Sequence, residues 1–391
     1  MTSPLAWLNS ELADLESRHL LRRRRQFESL PGGWCLAAGR RLRNFAGNDY
    51  LGLSHDPRLK AAAERALSES GSGAGASALV SGRSQWLVQL EEQLIEFEGC
   101  GAALVFPTGY AANLGTIAAL ADSEDVIYCD RFNHASLVDG CRLAGAKFRV
   151  YRHDALDKLD ESLASASPFR RRFIVTDTVF SMEGDVAPLG VLVEIADRRD
   201  AILIVDEAHG TGVWGESGRG ACEALGIADR VPVRIGTLSK AVGSLGGFVA
   251  GDQSLIDWLW NCGRTQIYST ALPPAVCAAA AEGLRIIAAE PQRRAALWRN
   301  CDLFRQMLQD VGLEPHRAAS GPIVPLVLAD AELAVEIAGR LEERGFLVGG
   351  IRPPTVPQGT SRLRITLSAV HDEESLVELV AAIHAVWPRF R

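Results

Sequence analysis

AILIVDEAHG, residues 201–210, decides the fold: five apolar residues run together and stop abruptly at Asp206-Glu207. Three of the five are β-branched, which favours a strand. A strand apolar at every position has no polar face for water, so it belongs to a sheet covered on both sides. Working outward, the same pattern recurs at VRIGTL (233–238), RRFIVTD (171–177), KFRVYR (147–152), DVIYC (125–129) and AALVF (102–106). Helical patterns lie between them, among them TGYAANLGTIAALA (108–121) and ASLVDGCRLAG (135–145). Such alternation predicts an α/β domain with a large, mostly parallel sheet. In such sheets ligands bind beyond the carboxyl ends of the strands, so those ends are the place to look for chemistry.

The flanks read differently. Residues 1–50 predict an amphipathic helix running into the arginines at 22–25, a Pro-Gly turn and a strand, RRLRNF (40–45). Residues 51–285 form the large domain, with SGSGAGASALVSG (70–82) between two helical patterns. No GK[ST] follows that stretch, so it is a close-packed turn with glycines at positive φ, not a phosphate-gripping loop. From Pro273 to Val311 one long helical stretch is expected. GPIVPLVL (321–328), FLVGGI (346–351) and SRLRITLS (361–368) then alternate with helices, which predicts a smaller C-terminal α+β domain over 286–391.

Hydrophobic residues make up 47% and charged residues 23% of the 391, a globular composition that excludes a disordered or fibrous chain. The net charge of −7 argues against nucleic-acid binding, so Arg22 to Arg25 read as a solvated helix face with an anionic-substrate contact. Eight cysteines form no CxxC pair and no cluster with histidine at zinc spacing, which points to a reducing compartment and no metal. No apolar run reaches the roughly 18 residues of a membrane span, and the N-terminus lacks the apolar core of a signal peptide. A cytoplasmic protein is expected.

The strand ends carry Thr108-Gly109-Tyr110, Asn133-His134, Asp177 with Ser181, Asp206 with His209, and Thr237, Ser239 and Lys240. Singly, each has an ordinary reading as a cap, a turn former or a structural histidine. Together they suit pyridoxal phosphate. Of the 41 basic residues only Lys60, Lys147, Lys158 and Lys240 are lysines, and Lys240 alone ends a strand, where it can hold the cofactor's aldehyde as an imine. Asp206 suits the pyridine nitrogen, keeping the ring an electron sink. The helix start at Thr108 to Tyr110 offers backbone N–H groups to a phosphate. His153, His316, His371 and His384 have no ligand-like neighbours in sequence and default to structural roles.

VDEAHGTGVWGESGRG (205–220) and GTLSKAVGSLGGF (236–248) resemble the α-oxoamine synthases, fold-type I pyridoxal-phosphate-dependent transferases. These join an amino acid to an acyl thioester with loss of carbon dioxide. GNDYLGLSHDP (47–57) and IRPPTVPQGTSRLRITLSAVH (351–371) are most similar to the family's biotin-pathway branch. The resemblance implies L-alanine and a pimeloyl thioester as substrates, the acyl group carried on coenzyme A or an acyl carrier protein. It implies that Lys240 forms the imine and later moves the Cα proton, and that Asp206 pairs with the pyridine nitrogen. His209 and Ser181 would surround the phenolic oxygen, and His134 would stack on the ring and meet substrate. Gly109, Tyr110 and Thr237 would serve the cofactor and its phosphate. Asn48 and Arg352 would meet the amino-acid carboxylate, and Arg22 and Thr355 the acyl substrate. The family's active site spans a homodimer interface, so Ser269 and Thr270 of YSTALPP (268–274) would reach the neighbouring subunit's phosphate. Relatives often carry histidine where this chain has Ala78. The rival expectations are a glycine-using sister enzyme and an aminotransferase of the same fold. A non-catalytic partner subunit is a third, which Lys240 argues against.

Overall fold

A computed structural model describes residues 3–166, 168–316 and 319–387. Two compact units emerge: one comprises Met1–Gly47, Met182–Gly184 and Ala296–Arg391, the other Asn48–Ser181 and Asp185–Ala295. The N-terminal segment is therefore no separate domain. Its strands β1 (Phe27–Leu30), β2 (Trp34–Ala37) and β3 (Arg40–Asn44) form an antiparallel meander, extended by a parallel pairing of β3 with Phe346–Leu347. The first helix spans Trp7–Ser17 and stops short of the arginine run, with His19 at φ +56°. Met1 and Thr2, which the expected helix included, lie outside the described residues.

The larger unit holds the predicted sheet. Its strands are β4 (Ala102–Phe106), β5 (Val126–Asp130), β6 (Lys147–Tyr151), β7 (Arg172–Asp177), β8 (Ala201–Asp206), β9 (Val233–Thr237) and β10 (Gly247–Gly251). Their order is β4-β10-β9-β8-β7-β5-β6. Every adjacent pair from β9 to β6 is parallel, and β10 runs antiparallel to both β9 and β4. All strands except β10 therefore end on one edge, which gathers Thr108, His134, Asp177, Asp206 and Thr237 there. The strand absent from the sequence reading is β10, whose GFVAG hides in a glycine-rich run. A Cβ on Gly247 would come within 2.5 Å of the Thr108 carbonyl, so the turn leaving β4 lies directly against β10.

The long helical stretch breaks in two, Pro274–Ala289 and Pro291–Asp310, because Pro291 has no N–H to continue the ladder. The first of these packs on helices Pro57–Ser70 and Gln85–Glu98, which places the boundary between units at 295/296 and not at 285/286. In the glycine-rich turn, Gly71 and Gly75 sit at φ +77° and +72°.

The smaller unit carries a second antiparallel sheet, β11 (Ile323–Ala329), β14 (Ser361–Thr366) and β13 (Gly349–Ile351), with β12 (Phe346–Leu347) on the meander. Helices Ala331–Glu343 and Glu373–Val386 start on Asp330 and Asp372, whose carboxylates cap Leu333 N and Ser375 N. His371 is buried here: the Ser368 N–H donates to its Nδ1 at 3.1 Å, and Nε2 lies 3.1 Å from the Asn44 carbonyl. No helix among the described residues is long and apolar enough to cross a membrane.

Candidate active site

Lys240 follows β9, and its Nζ lies 3.0 Å from His209 Nε2. His209 Nδ1 is 2.6 Å from the Tyr50 hydroxyl, and that hydroxyl donates to Asn48 Oδ1 at 3.5 Å. With Nζ donating to Nε2, the other ring nitrogen carries the proton, so the file Lys240, His209, Tyr50, Asn48 donates in one direction. Asn48, His209 and Lys240 were expected in the site; Tyr50 was not. Only its burial between Asn48 and His209 reveals it.

Asp206 closes β8 beside Asp177 on β7, the two being register partners. Asp206 is 5% exposed and Asp177 3%. One Asp206 oxygen accepts the Ala208 N–H at 2.8 Å, and the other accepts Asn113 Nδ2 at 2.6 Å. Asp177 accepts the His134 N–H at 2.6 Å, and its own N–H donates to Asn133 Oδ1 at 2.9 Å. Burial, and after it the charge of Asp206, push the Asp177 carboxyl well above the ordinary carboxylate range. The two carboxyls lie side by side, and a cation placed against them favours their ionisation.

The phosphate end is built on backbone. Thr108 caps helix Gly109–Leu120 by accepting the Ala111 N–H at 3.0 Å, and the first-turn N–H groups of Gly109 and Tyr110 have no carbonyl of their own helix to meet. A Cβ on Gly109 would sit 3.3 Å from Thr237 Oγ1, so this helix start and the end of β9 close on one another. Thr237 Oγ1 in turn lies 2.8 Å from Ser239 Oγ. Lysine, a paired carboxylate and a hydroxyl-lined helix N-terminus are what pyridoxal phosphate requires of aldehyde, ring nitrogen and phosphate. The residues present fit the group.

The remaining expected residues fall elsewhere. Ser181 is half-buried in the loop after β7. Thr270 bridges to Ser77 and is exposed, with Ser269 beside it. In the smaller unit Arg22 Nη2 donates to Thr355 Oγ1 at 3.2 Å and to the Pro353 and Arg352 carbonyls at 3.4 and 3.5 Å. Arg352 Nη2 donates to the Leu21 carbonyl at 3.0 Å, while its buried Nε finds no partner. Arg22, Arg352 and Thr355 are thus brought together.

Two further residues are struts. Glu207 accepts from the N–H groups of Ala221 and Cys222 at 3.0 and 2.8 Å and from Thr178 Oγ1 at 2.7 Å, which ties down the loop after β8. His153 bridges Asp130 and Asp185 at 2.9 and 3.0 Å. Asn113 and Ser136 went unremarked in the sequence because the bond that joins them links separate helices.

A family model for aminotransferase class I and II matches residues 40–383. The 8-amino-7-oxononanoate synthase of Anaeromyxobacter dehalogenans is 45% identical over 384 residues, covering 98% of this chain and 96% of its own. That of Methylococcus capsulatus is 48% identical over 381 residues, covering 97% and 98%. Among solved structures, the serine palmitoyltransferase of Sphingomonas wittichii superposes with TM-score 0.92 at 33% identity, over 98% of both chains. A serine palmitoyltransferase from S. paucimobilis with PLP and myriocin bound gives 0.91 at 31% identity, over 98% of this chain and 99% of that one.

Proposed function

This chain belongs to the aminotransferase class I and II family, and on that premise we propose that it is a pyridoxal-phosphate-dependent acyltransferase. It condenses L-alanine with a pimeloyl thioester to give 8-amino-7-oxononanoate, carbon dioxide and the free thiol carrier, coenzyme A or an acyl carrier protein. The observation that supports the substrate pair is the identity of 45–48% to curated synthases of that name over nearly the whole chain.

When bound, pyridoxal phosphate supplies the electron sink that stabilises a carbanion at the alanine Cα. The rest falls to this chain's side chains. Lys240 Nζ holds the cofactor between turnovers and then takes and returns the Cα proton; its support is the 3.0 Å contact with His209, which keeps the amine in one place. Asp206 holds the ring nitrogen protonated, and its two fixed hydrogen bonds keep the carboxylate from rotating away. Gly109, Tyr110 and Thr237 take the phosphate. His209 and Ser181 flank the phenolic oxygen, and His134 covers the ring face and binds the carboxylate that is later lost. Asn48 and Arg352 bind the alanine carboxylate, and Arg22 and Thr355 the acyl group. Ser269 and Thr270 complete the phosphate site of a second copy in a homodimer. The enzyme works in the cytoplasm.

A panel crossing alanine, glycine and serine with acyl thioesters of several lengths tests this reading. Alanine with pimeloyl thioester should give the fastest thiol release. Fastest turnover with glycine or serine would overturn the substrate assignment.

A further inference from the structure

Two buried groups, Ser136 and Asn113, join His134 to Asp206 by a chain of hydrogen bonds whose direction can be worked out donor by donor. Asn113 lies in helix Gly109–Leu120 and is 2% exposed. Its Nδ2 donates to Asp206 Oδ2 at 2.6 Å and to Ser136 Oγ at 2.8 Å. The opposite amide orientation would turn Oδ1 onto a carboxylate, where two acceptors repel, so the amide can only face this way. Its two hydrogens are then fully used.

Ser136 is fully buried at the start of helix Ala135–Leu143. Because its oxygen already accepts from Asn113, its own O–H is directed to the remaining neighbour, His134 Nδ1, at 2.7 Å. The Ser136 backbone N–H, which can only donate, points at the same nitrogen from 3.3 Å. Both contacts require a lone pair on Nδ1. The proton of the neutral ring is thereby confined to Nε2, the nitrogen outside this network.

We propose that Asn113 and Ser136 are positioning residues that fix His134 as an Nε2–H hydrogen-bond donor and set the Asp206 carboxylate in the same act. His134 then presents a donor, and not a base, to the carboxylate as it is lost, after alanine has bound. Asn113 serves as the hub, because one amide group supplies both the bond that orients Asp206 and the bond that orients the Ser136 hydroxyl. The inference rests on the reading of His134 and Asp206 as site residues. The readout that decides it is the tautomer, which needs no turnover, so its failure is distinct from failure of the substrate assignment.

Protein carrying 15N-labelled histidine, loaded with pyridoxal phosphate, gives a ring-nitrogen spectrum in which His134 is assigned by its loss in His134→Gln. The wild type should have Nε2 protonated and Nδ1 bare at neutral pH. Asn113→Asp, close to isosteric, offers Ser136 an acceptor instead of a donor. The hydroxyl should turn toward it, and the population should shift to the Nδ1–H form. Ser136→Ala should give a mixture of tautomers and lower kcat about tenfold, less than the hundredfold or more lost with a preorganised donor. Cofactor affinity and the alanine KM should stay within about twofold in Ser136→Ala, a split that general loosening of the helix would not give. Ser136→Thr, which keeps the hydroxyl, should restore the Nε2–H form. A wild-type His134 protonated on Nδ1 overturns the proposal. So does an unchanged tautomer in both Asn113→Asp and Ser136→Ala.

Discussion

Lys240 is the residue on which the proposed chemistry turns, and its surroundings make a definite demand. An amine held 3.0 Å from one imidazole nitrogen is in place to bond a carbonyl carbon. Borohydride reduction of the loaded enzyme should fix the cofactor covalently to Lys240, and peptide mapping reads the site directly. Attachment at Lys60, Lys147 or Lys158 would break the assignment, and Lys240→Ala should lose both the adduct and turnover. Asp206→Asn should keep the fold but slow exchange of the alanine Cα proton with solvent deuterium, because the ring nitrogen loses its counter-ion. The exchange rate, followed by proton NMR, separates this from a structural role; a near-normal rate would make Asp206 a strand-end strut like its neighbour Glu207.

At the scale of the element, a buried histidine, His371, and a half-buried one, His153, pull stability in opposite directions with pH. Burial pushes His371 down to about 4, so the fold holds it neutral while the unfolded chain takes up a proton below pH 6.5. Its contribution is whole above pH 6.5 and drains away as pH falls toward 4, at most about 3 kcal/mol for a shift of this size. Burial also pulls on His153, but its hydrogen bonds to Asp130 and Asp185 prevail and lift it to about 10. Its contribution is whole just below pH 6.5 and is lost as pH rises toward 10. Urea unfolding should therefore show the gap between wild type and His371→Gln narrowing on acidification, and that for His153→Gln narrowing in alkali. Both histidines read as structural in the sequence, and their partners bear that out. The sheet strands were legible because buried parallel strands are apolar throughout. The β10 strand was not, because glycines that admit a neighbouring turn look like the turn itself. The split at Pro291 was written in the sequence and overridden by the apolar periodicity on either side. Tyr50, Asn113 and Ser136 escaped notice for a different reason: their roles arise from contacts between distant segments, which no local pattern encodes.

For the molecule as a whole, the homodimer proposal has a physical footing in the exposed loops of the larger unit. Val80 and Tyr268 flank the Ser77–Thr270 bridge and are 79% and 73% exposed, with Leu79 at 45%. Apolar side chains gathered at one place on a surface mark an interaction site, and in the proposed homodimer a second copy would cover it and receive Ser269 and Thr270 at its phosphate. Mixing Lys240→Ala subunits with subunits carrying Ser269→Ala and Thr270→Ala should restore part of the activity, since one site of each heterodimer then bears neither defect. Absence of recovery after demonstrated subunit exchange would put both groups in one chain's site. The central claim, decarboxylative condensation, is tested most directly with L-alanine labelled with 13C at its carboxyl carbon and a pimeloyl thioester. The account predicts labelled carbon dioxide in step with free thiol, and no label released when the thioester is left out. Label recovered as pyruvate, with no thiol formed, would contradict it and make the enzyme an aminotransferase.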